Sequence, residues 1–165
     1  MWNKNLAKFG AGFTLIELMV VIVVLSIGLI GTMNLVSRVF ISAHLIASKL
    51  VAAYLAQEGV EIVKNIRDTN WVEGAATWDQ DIFCCGSSPC DCQADYNDQA
   101  LSLYSDSYLK IDGGFYNYDA ASTTNTKFKR KINVQQSAID ELSATVTVSW
   151  DNYEVQVFEK IYDWR

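Results

Sequence analysis

The stretch "FTLIELMVVIVVLSIGLIGTMNLVSR", residues 13–38, decides the fold of this chain. No charged residue lies between Glu17 and Arg38, so residues 18–37 form an uncharged run of 20 residues. As an α-helix this run is about 30 Å long, which matches the hydrocarbon thickness of a bilayer. The sequence therefore predicts a membrane-spanning helix that carries one carboxylate, Glu17, near its beginning.

The charges beside this run predict its orientation. Lys4 and Lys8 precede it, whereas all 19 acidic residues follow Gly12. Basic residues next to a span stay in the cytoplasm, so the larger C-terminal part is expected outside. An ordinary cleaved signal peptide has a shorter apolar core followed by small residues. Here the run is longer and the small residues, "GAG", come before it, which favours a retained anchor.

The stretch "KFGAGFTLIELMVVIVVLSIGLI", residues 8–30, resembles the amino terminus of type IV prepilins and of the related pseudopilins of type II secretion systems. The shared pattern is a short basic leader ending in glycine, a phenylalanine, a glutamate four residues later and an apolar run. The resemblance implies that a prepilin peptidase removes the leader, residues 1–12, by cutting between Gly12 and Phe13. The same enzyme would then methylate the Phe13 amine, and Glu17 would pair with that amine or with a neighbouring subunit's.

The helix is expected to continue beyond the membrane. Apolar residues recur every three or four positions and trace one helical face, namely Val39, Ala43, Ile46, Leu50, Ala53, Ala56, Val60 and Val63. The pattern predicts one helix from Phe13 to about Ile66. Its transmembrane half is residues 13–37, and an amphipathic outer half, residues 38–71, needs a domain to cover it. Residues 52–71 also resemble the helix continuation of minor pilins and of one class of minor pseudopilins.

Four cysteines, Cys84, Cys85, Cys90 and Cys92, lie in the nine-residue stretch "CCGSSPCDC". Outside the cytoplasm such a cluster is typical of disulfides. Adjacent and one-apart bridges strain the backbone, which leaves two pairings open: 84–90 with 85–92, or 84–92 with 85–90. A four-thiolate zinc site is the less favoured alternative, because the spacing lacks paired C-x2-C arms. We therefore expect no metal.

The chain after the cysteines divides into two parts. Residues 72–126 are rich in Asp, Ser, Asn, Gly and Tyr, which predicts an irregular loop region with short elements. Residues 127–165 are predicted to form an antiparallel β-meander of three or four strands, with "GGFYNY", residues 113–118, as the first strand. The short stretch "KFKRK", residues 127–131, is predicted to be solvated or to lie at a sheet edge.

Alternation with a period of two supports the strand assignment. It places one set of side chains on a single face of each strand. These are Phe128, Arg130, Ile132 and Val134 in the strand at residues 127–134, and Val146, Val148 and Trp150 in the strand at residues 144–150. Asp151-Asn152 is typical of a tight hairpin turn. The predicted fold class is α+β, with one long N-terminal helix packed on a C-terminal antiparallel sheet, and this agrees with the pilin-like fold that the resemblance implies.

Charge and motif content narrow the function. The net charge is −6, and removal of Lys4 and Lys8 with the leader leaves 11 basic and 19 acidic residues, or −8. Nucleic acid is an unfavourable partner for such a body, because phosphate binding requires dense Lys and Arg. The sequence has no nucleophile elbow, phosphate loop or Cys/His pair. We therefore interpret the chain as a substrate of processing enzymes, not an enzyme, and expect no cofactor.

The resulting hypothesis is a structural, minor subunit of a type IV pilus-like filament. Its expected partners are prepilin peptidase, other pilin subunits in a homo- or hetero-filament and, indirectly, an assembly platform and ATPase. It would cross the cytoplasmic membrane once and later join a cell-surface filament with its C-terminal domain outside. The alternatives are a pseudopilin of a type II secretion system, a filament-tip binding or adhesion module, and an anchored protein that never assembles.

Overall fold

The computed structural model describes residues 12–119, 121 and 124–164. Residues 1–11, which belong to the predicted leader, lie outside this part. Within the described residues one helix precedes eight strands: α1 (Leu15–Glu73), β1 (Cys90–Gln93), β2 (Ser102–Leu103), β3 (Lys110–Asp112), β4 (Phe115–Asn117), β5 (Thr124–Asn125), β6 (Lys129–Ala138), β7 (Glu141–Trp150) and β8 (Tyr153–Tyr162). The chain divides into two compact units after Leu45. The first holds the beginning of α1, and the second holds the rest of α1 and these strands.

The strands form two antiparallel sheets. The larger has five strands in the order β2-β1-β6-β7-β8, and the smaller has three in the order β4-β3-β5. The β7–β8 hairpin closes through Asp151 and Asn152, because Trp150 pairs with Tyr153. Asp151 has a φ of 49°, as the favoured two-residue hairpin turns require. The predicted turn is therefore confirmed.

Alternating burial along β6 and β7 forms the core of the second unit. The face that packs on α1 carries Ile132, Val134, Leu142, Ala144, Val146 and Val148, and each of these is fully buried. The helix contributes residues at helical spacing, among them Ala52, Leu55, Ala56, Val60, Val63 and Ile66. The α+β, pilin-like arrangement of a long helix on antiparallel sheets is thus confirmed.

The helix runs farther than its sequence pattern predicted. It begins at Leu15, two residues after Phe13, and ends at Glu73, seven residues after Ile66. Gly74 ends it with a φ of 71°, and the Ala75 amide donates to the Asn70 carbonyl at 2.8 Å. This is a Schellman-type C-terminus, for which glycine is favoured because it has no Cβ.

Three details of the sequence prediction were wrong in whole or in part. "GGFYNY" does not begin the meander, because β4 pairs with β3 in the smaller sheet. "KFKRK" has an open side as predicted, because its residues in β6 pair with β7 alone and β1 pairs only with residues 132–134, but its Arg130 is fully buried and not solvated. The predicted apolar face of the outer helix is not covered along its whole length, since Val39, Ala43, Ile46 and Leu50 remain exposed. Burial by the sheet begins only at Ala52.

Candidate functional site

The segment that precedes α1 is exposed and not helical. Gly12, Phe13 and Thr14 lie outside the helix, and Phe13 is 80% exposed. A Cβ placed on Gly12 would find no atom within 4 Å. Among the described residues, none therefore covers the peptide bond between Gly12 and Phe13.

Thr14 caps the first turn of α1. Its Oγ1 accepts a hydrogen bond from the Glu17 amide at 3.3 Å, and its carbonyl accepts one from the Leu18 amide at 3.1 Å. Threonine at the N-cap satisfies an amide that has no partner within the helix. The spacing of Thr14 and Glu17 is that of a capping box. This spacing predicts a helix that begins directly after Thr14, which the apolar periodicity did not indicate.

The helix that follows is exposed throughout the first unit. Every residue from Gly12 to His44 is exposed. Within the described part of the chain, α1 is the one helix long and apolar enough to cross a membrane, and none of its most apolar stretch is buried. A soluble core helix of this composition would be covered by its own protein. The exposed apolar surface therefore fits an inner-membrane anchor.

The cysteine cluster forms two disulfides. Of the two pairings left open by the sequence, the structure has Cys84 with Cys92 and Cys85 with Cys90, with Cα–Cα distances of 5.9 and 6.1 Å. Cys90 and Cys92 are in β1 and are buried, whereas Cys85 is exposed. The sulfurs of Cys84, Cys90 and Cys92 lie within 4.8 Å of one another. In the disulfide form they offer no thiolate to a metal.

Charged groups surround β1 on its outer face. The Asn133 amide donates to Asp91 at 2.7 Å, and Lys131 lies 3.3 Å from the same carboxylate. The hydrogen bond from Asn133, followed by the charge of Lys131, holds the pKa of Asp91 below its usual value. Asp91 is exposed, whereas its neighbours Cys90 and Cys92 are buried, so the carboxylate and the two half-cystines lie on opposite faces of the strand.

A buried arginine joins the helix to the sheet. Arg130 Nη1 donates to the Leu55 carbonyl at 3.3 Å and to Glu58 Oε1 at 3.0 Å, while Nη2 donates to the Ala94 carbonyl at 2.7 Å. Its Nε makes no hydrogen bond to the described residues. The alternation of β6 had placed Arg130 on the inward face, but its composition had suggested a solvated strand. The buried role was therefore missed.

A groove of the second unit lies between α1 and β8. It has a volume of about 490 Å³, and its lining comprises Tyr54, Gln57, Glu58, Val60, Glu61, Lys64, Val157 and Glu159. Lys64 and Glu159 form an ion pair of 3.0 Å across it. The lining contains no serine, cysteine or histidine.

Comparison with known families gives one match. Residues 10–33 match the prokaryotic N-terminal methylation motif. No curated protein and no solved structure matches the chain. The matched residues include Gly12, Phe13 and Glu17, and they end within the exposed apolar part of α1.

The motif and the fold point in the same direction. The chain carries the type IV prepilin-like signal at residues 10–33, followed by one long apolar helix packed on antiparallel sheets. In these two features it is similar to type IV pilins and to pseudopilins.

Proposed function

We propose that this chain is a minor structural subunit of a type IV pilus-like filament. The observation that carries the proposal is the methylation motif at residues 10–33, which leads directly into a helix whose apolar side chains are uncovered. Such a surface is stable in a membrane or against the helices of other subunits. The motif suggests a structural protein.

The first step is processing at the exposed N-terminal segment. Prepilin peptidase cuts between Gly12 and Phe13, removes residues 1–12 and methylates the new amine of Phe13. The non-helical conformation of residues 12–14 supports this step, because an extended and exposed bond can enter an enzyme's active site. The anchor remains intact after cleavage, since it lies entirely on the C-terminal side of the cut.

Glu17 then guides assembly. It is the fifth residue of the processed chain, and a carboxylate within a span costs about 3 kcal/mol at the bilayer centre unless it has a partner. Cleavage creates a cationic amine four residues away. That amine, or the amine of a neighbouring subunit, pairs with Glu17 and fixes the relative position of the helices.

The location of the protein follows from the same steps. Lys4 and Lys8 keep the N-terminus in the cytoplasm, and the second unit lies outside the cytoplasmic membrane, where its cysteines form disulfides. Assembly moves the processed chain into a surface filament with other pilin subunits. A platform protein and an ATPase drive this movement indirectly.

Replacement of Glu17 tests the assembly step. We expect Glu17→Ala to insert into the membrane as the parent does and to fall at least about tenfold in sheared filaments, because about 1.4 kcal/mol of lost pairing corresponds to tenfold in an equilibrium. Immunoblots of membrane and filament fractions measure both quantities. Glu73→Ala, which removes an exposed carboxylate at the other end of α1, is the matched control and should leave both fractions unchanged. Normal incorporation of Glu17→Ala contradicts the proposal.

The membrane and filament fractions also distinguish a pilus subunit from a pseudopilin, which the motif fits equally well. A pseudopilin would stay in the cell envelope, and its loss would abolish secretion of folded proteins without removing surface filaments. A filament-tip adhesion module would give a third result, with filaments retained and attachment of the cells lost on deletion of the gene. The exposed turn between Cys85 and Cys90 is the surface that such a module would present.

A further inference from the structure

The four half-cystines lie together but differ in exposure. Cys85 is exposed and Cys84 half-buried, whereas Cys90 and Cys92 are 3% and 0% exposed. Cys84 Sγ is bonded to Cys92, and it also lies 3.1 Å from Cys90 Sγ, with which it shares no bond. The Cys85–Cys90 disulfide therefore joins an exposed cysteine to a buried one. The buried Cys90 sulfur is in contact with the second disulfide, Cys84–Cys92.

We propose that Cys85 is an S-thiolation site for small thiols, and that the sulfur displaced there, Cys90 Sγ, then reacts with the Cys84–Cys92 disulfide. A small thiol, as its thiolate, attacks Cys85 Sγ. A new S–S bond forms between the small thiol and Cys85, the Cys85–Cys90 bond breaks, and Cys90 leaves as a thiolate. Attack occurs at Cys85 because thiol–disulfide exchange requires access to the sulfur, and Cys90 is buried.

The second step follows within the cluster. The Cys90 thiolate attacks Cys84 Sγ, which forms a Cys84–Cys90 bond and releases Cys92 as a thiolate that takes a proton from water. Contact between the two sulfurs makes this step intramolecular, and such reactions have very high effective concentrations. The sequence consumes one small thiol and leaves one mixed disulfide, one internal disulfide and one protein thiol, with no net oxidation or reduction.

The position of the freed thiol makes the adduct persistent. Cys92 Sγ lies within 4.8 Å of the Cys84 and Cys90 sulfurs, so it stands beside the new internal disulfide, whereas Cys85 lies outside this group. If the freed sulfur remained on Cys90, it would stand beside Cys85 and expel the small thiol again. Transfer of the reactive position from Cys90 to Cys92 thus traps the adduct on the exposed cysteine.

Peptide mapping of the full-length chain tests the proposal. The oxidised chain, purified in detergent, is incubated with glutathione, quenched in acid, unfolded in urea and alkylated with N-ethylmaleimide before digestion and mass spectrometry. We expect glutathione on Cys85, a Cys84–Cys90 disulfide and N-ethylmaleimide on Cys92. Absence of an adduct, alkylation of Cys90, or a glutathione-free chain with Cys85 bonded to Cys92 overturns the proposal. An untreated chain that lacks the 84–92 and 85–90 pairing overturns it as well.

Two paired variants provide matched controls, each of which retains one disulfide. Cys84→Ser/Cys92→Ser removes the second disulfide, so the freed thiol should stay on Cys90 and the amount of adduct should fall by about tenfold or more, because Cys90 can return to Cys85. An undiminished amount contradicts the trapping step. Cys85→Ser/Cys90→Ser should form no adduct, and an adduct in this variant contradicts the assignment of Cys85. The mapping of the unaltered chain decides the proposal even if a variant folds poorly.

Discussion

The Arg130 guanidinium lies fully buried between α1 and the sheet and donates to two carbonyls and to Glu58. A buried charge without partners is very unfavourable, and removal of one member of a buried pair typically costs 3–5 kcal/mol. Glu58 keeps 34% of its side chain exposed, so water would compensate part of its loss of Arg130. Water could not replace the hydrogen bonds that Arg130 donates to the Leu55 and Ala94 carbonyls, because both residues are buried.

Truncation of this arginine measures its contribution. We expect Arg130→Ala to lower the free energy of unfolding by about 3 kcal/mol, because it creates a cavity and leaves two buried carbonyls without this donor. Lys131→Ala removes the next residue, whose ion pair with Asp91 is largely exposed, and should cost less than about 1 kcal/mol. Urea unfolding of the full chain in detergent, followed by tryptophan fluorescence, gives both values. Similar losses in the two variants would show that burial of the charge is unimportant.

A second residue that carries a testable charge is Asp95. Burial raises the pKa of its carboxyl group above the usual value, and the charges of Asp98 and Asp119 add to this effect. The Tyr118 amide donates to the carboxylate at 2.7 Å, and this bond and the charge of Arg130 act in the opposite direction without cancelling it. The ionised form of Asp95 is therefore disfavoured in the folded chain.

Replacement by asparagine tests this effect. A carboxyl group whose folded-state pKa is raised destabilises the fold above that pKa, and the effect is lost as the pH falls through it towards the unfolded-state value. Asp95→Asn stays neutral and retains an oxygen for the Tyr118 amide. We expect its melting temperature at pH 7 to exceed that of the parent, with a difference that shrinks as the solution is acidified. A lower melting temperature of Asp95→Asn at pH 7 contradicts the raised pKa of Asp95. Asp91→Asn is the control, because the pKa of Asp91 is lowered, and its melting temperature at pH 7 should fall below that of the parent.

At the scale of elements, α1 and β7 approach each other closely at Gly59. A Cβ at this position would lie 2.8 Å from Val146 Cγ1 and 3.3 Å from Arg130 Cδ. Val146 is fully buried in the middle of β7 and, being β-branched, has few alternative rotamers. The helix therefore tolerates a glycine here, at a cost of about 1 kcal/mol in helix propensity, because the close approach of helix and sheet leaves no space for a side chain.

Gly59→Ala tests whether packing outweighs propensity. We expect a net loss of about 1 kcal/mol in the free energy of unfolding, because overpacking of a filled core costs about 1–3 kcal/mol. Gly31→Ala is the control, since a Cβ there meets no atom within 4 Å, and it should not destabilise the second unit. The same urea unfolding measures both variants. A stability of Gly59→Ala equal to or above that of the parent would contradict the close approach.

The elements differ in how well the sequence predicts them. Alternation identified β6, β7 and β8 because each has ten residues and alternates between more and less exposed positions over most of its length. The strands β1 to β5 have only two to four residues, too few for a periodic signal, and distant pairings such as Cys92 with Ile132 define them. The end of α1 was missed because the Schellman turn at Gly74 depends on one backbone conformation and not on apolar periodicity.

At the scale of the whole molecule, the two units differ in what covers their apolar residues. The second unit buries its apolar residues between α1 and the larger sheet, whereas the first unit leaves every residue from Gly12 to His44 exposed. The sequence alone could predict the N-terminal site, because its residues are consecutive and their spacing is the signal. The disulfide pairing and the role of Arg130 could not be predicted in this way, since they depend on residues that only the fold brings together.

The most direct test of the proposed filament subunit is the mass of its mature amino terminus. The chain is purified from cells that contain prepilin peptidase, digested and analysed by mass spectrometry. We expect a first peptide that begins at Phe13 with a methyl group on its amine, and no peptide from residues 1–12. A chain that retains Met1, or one whose first residue lies beyond Ser37, would contradict the assignment.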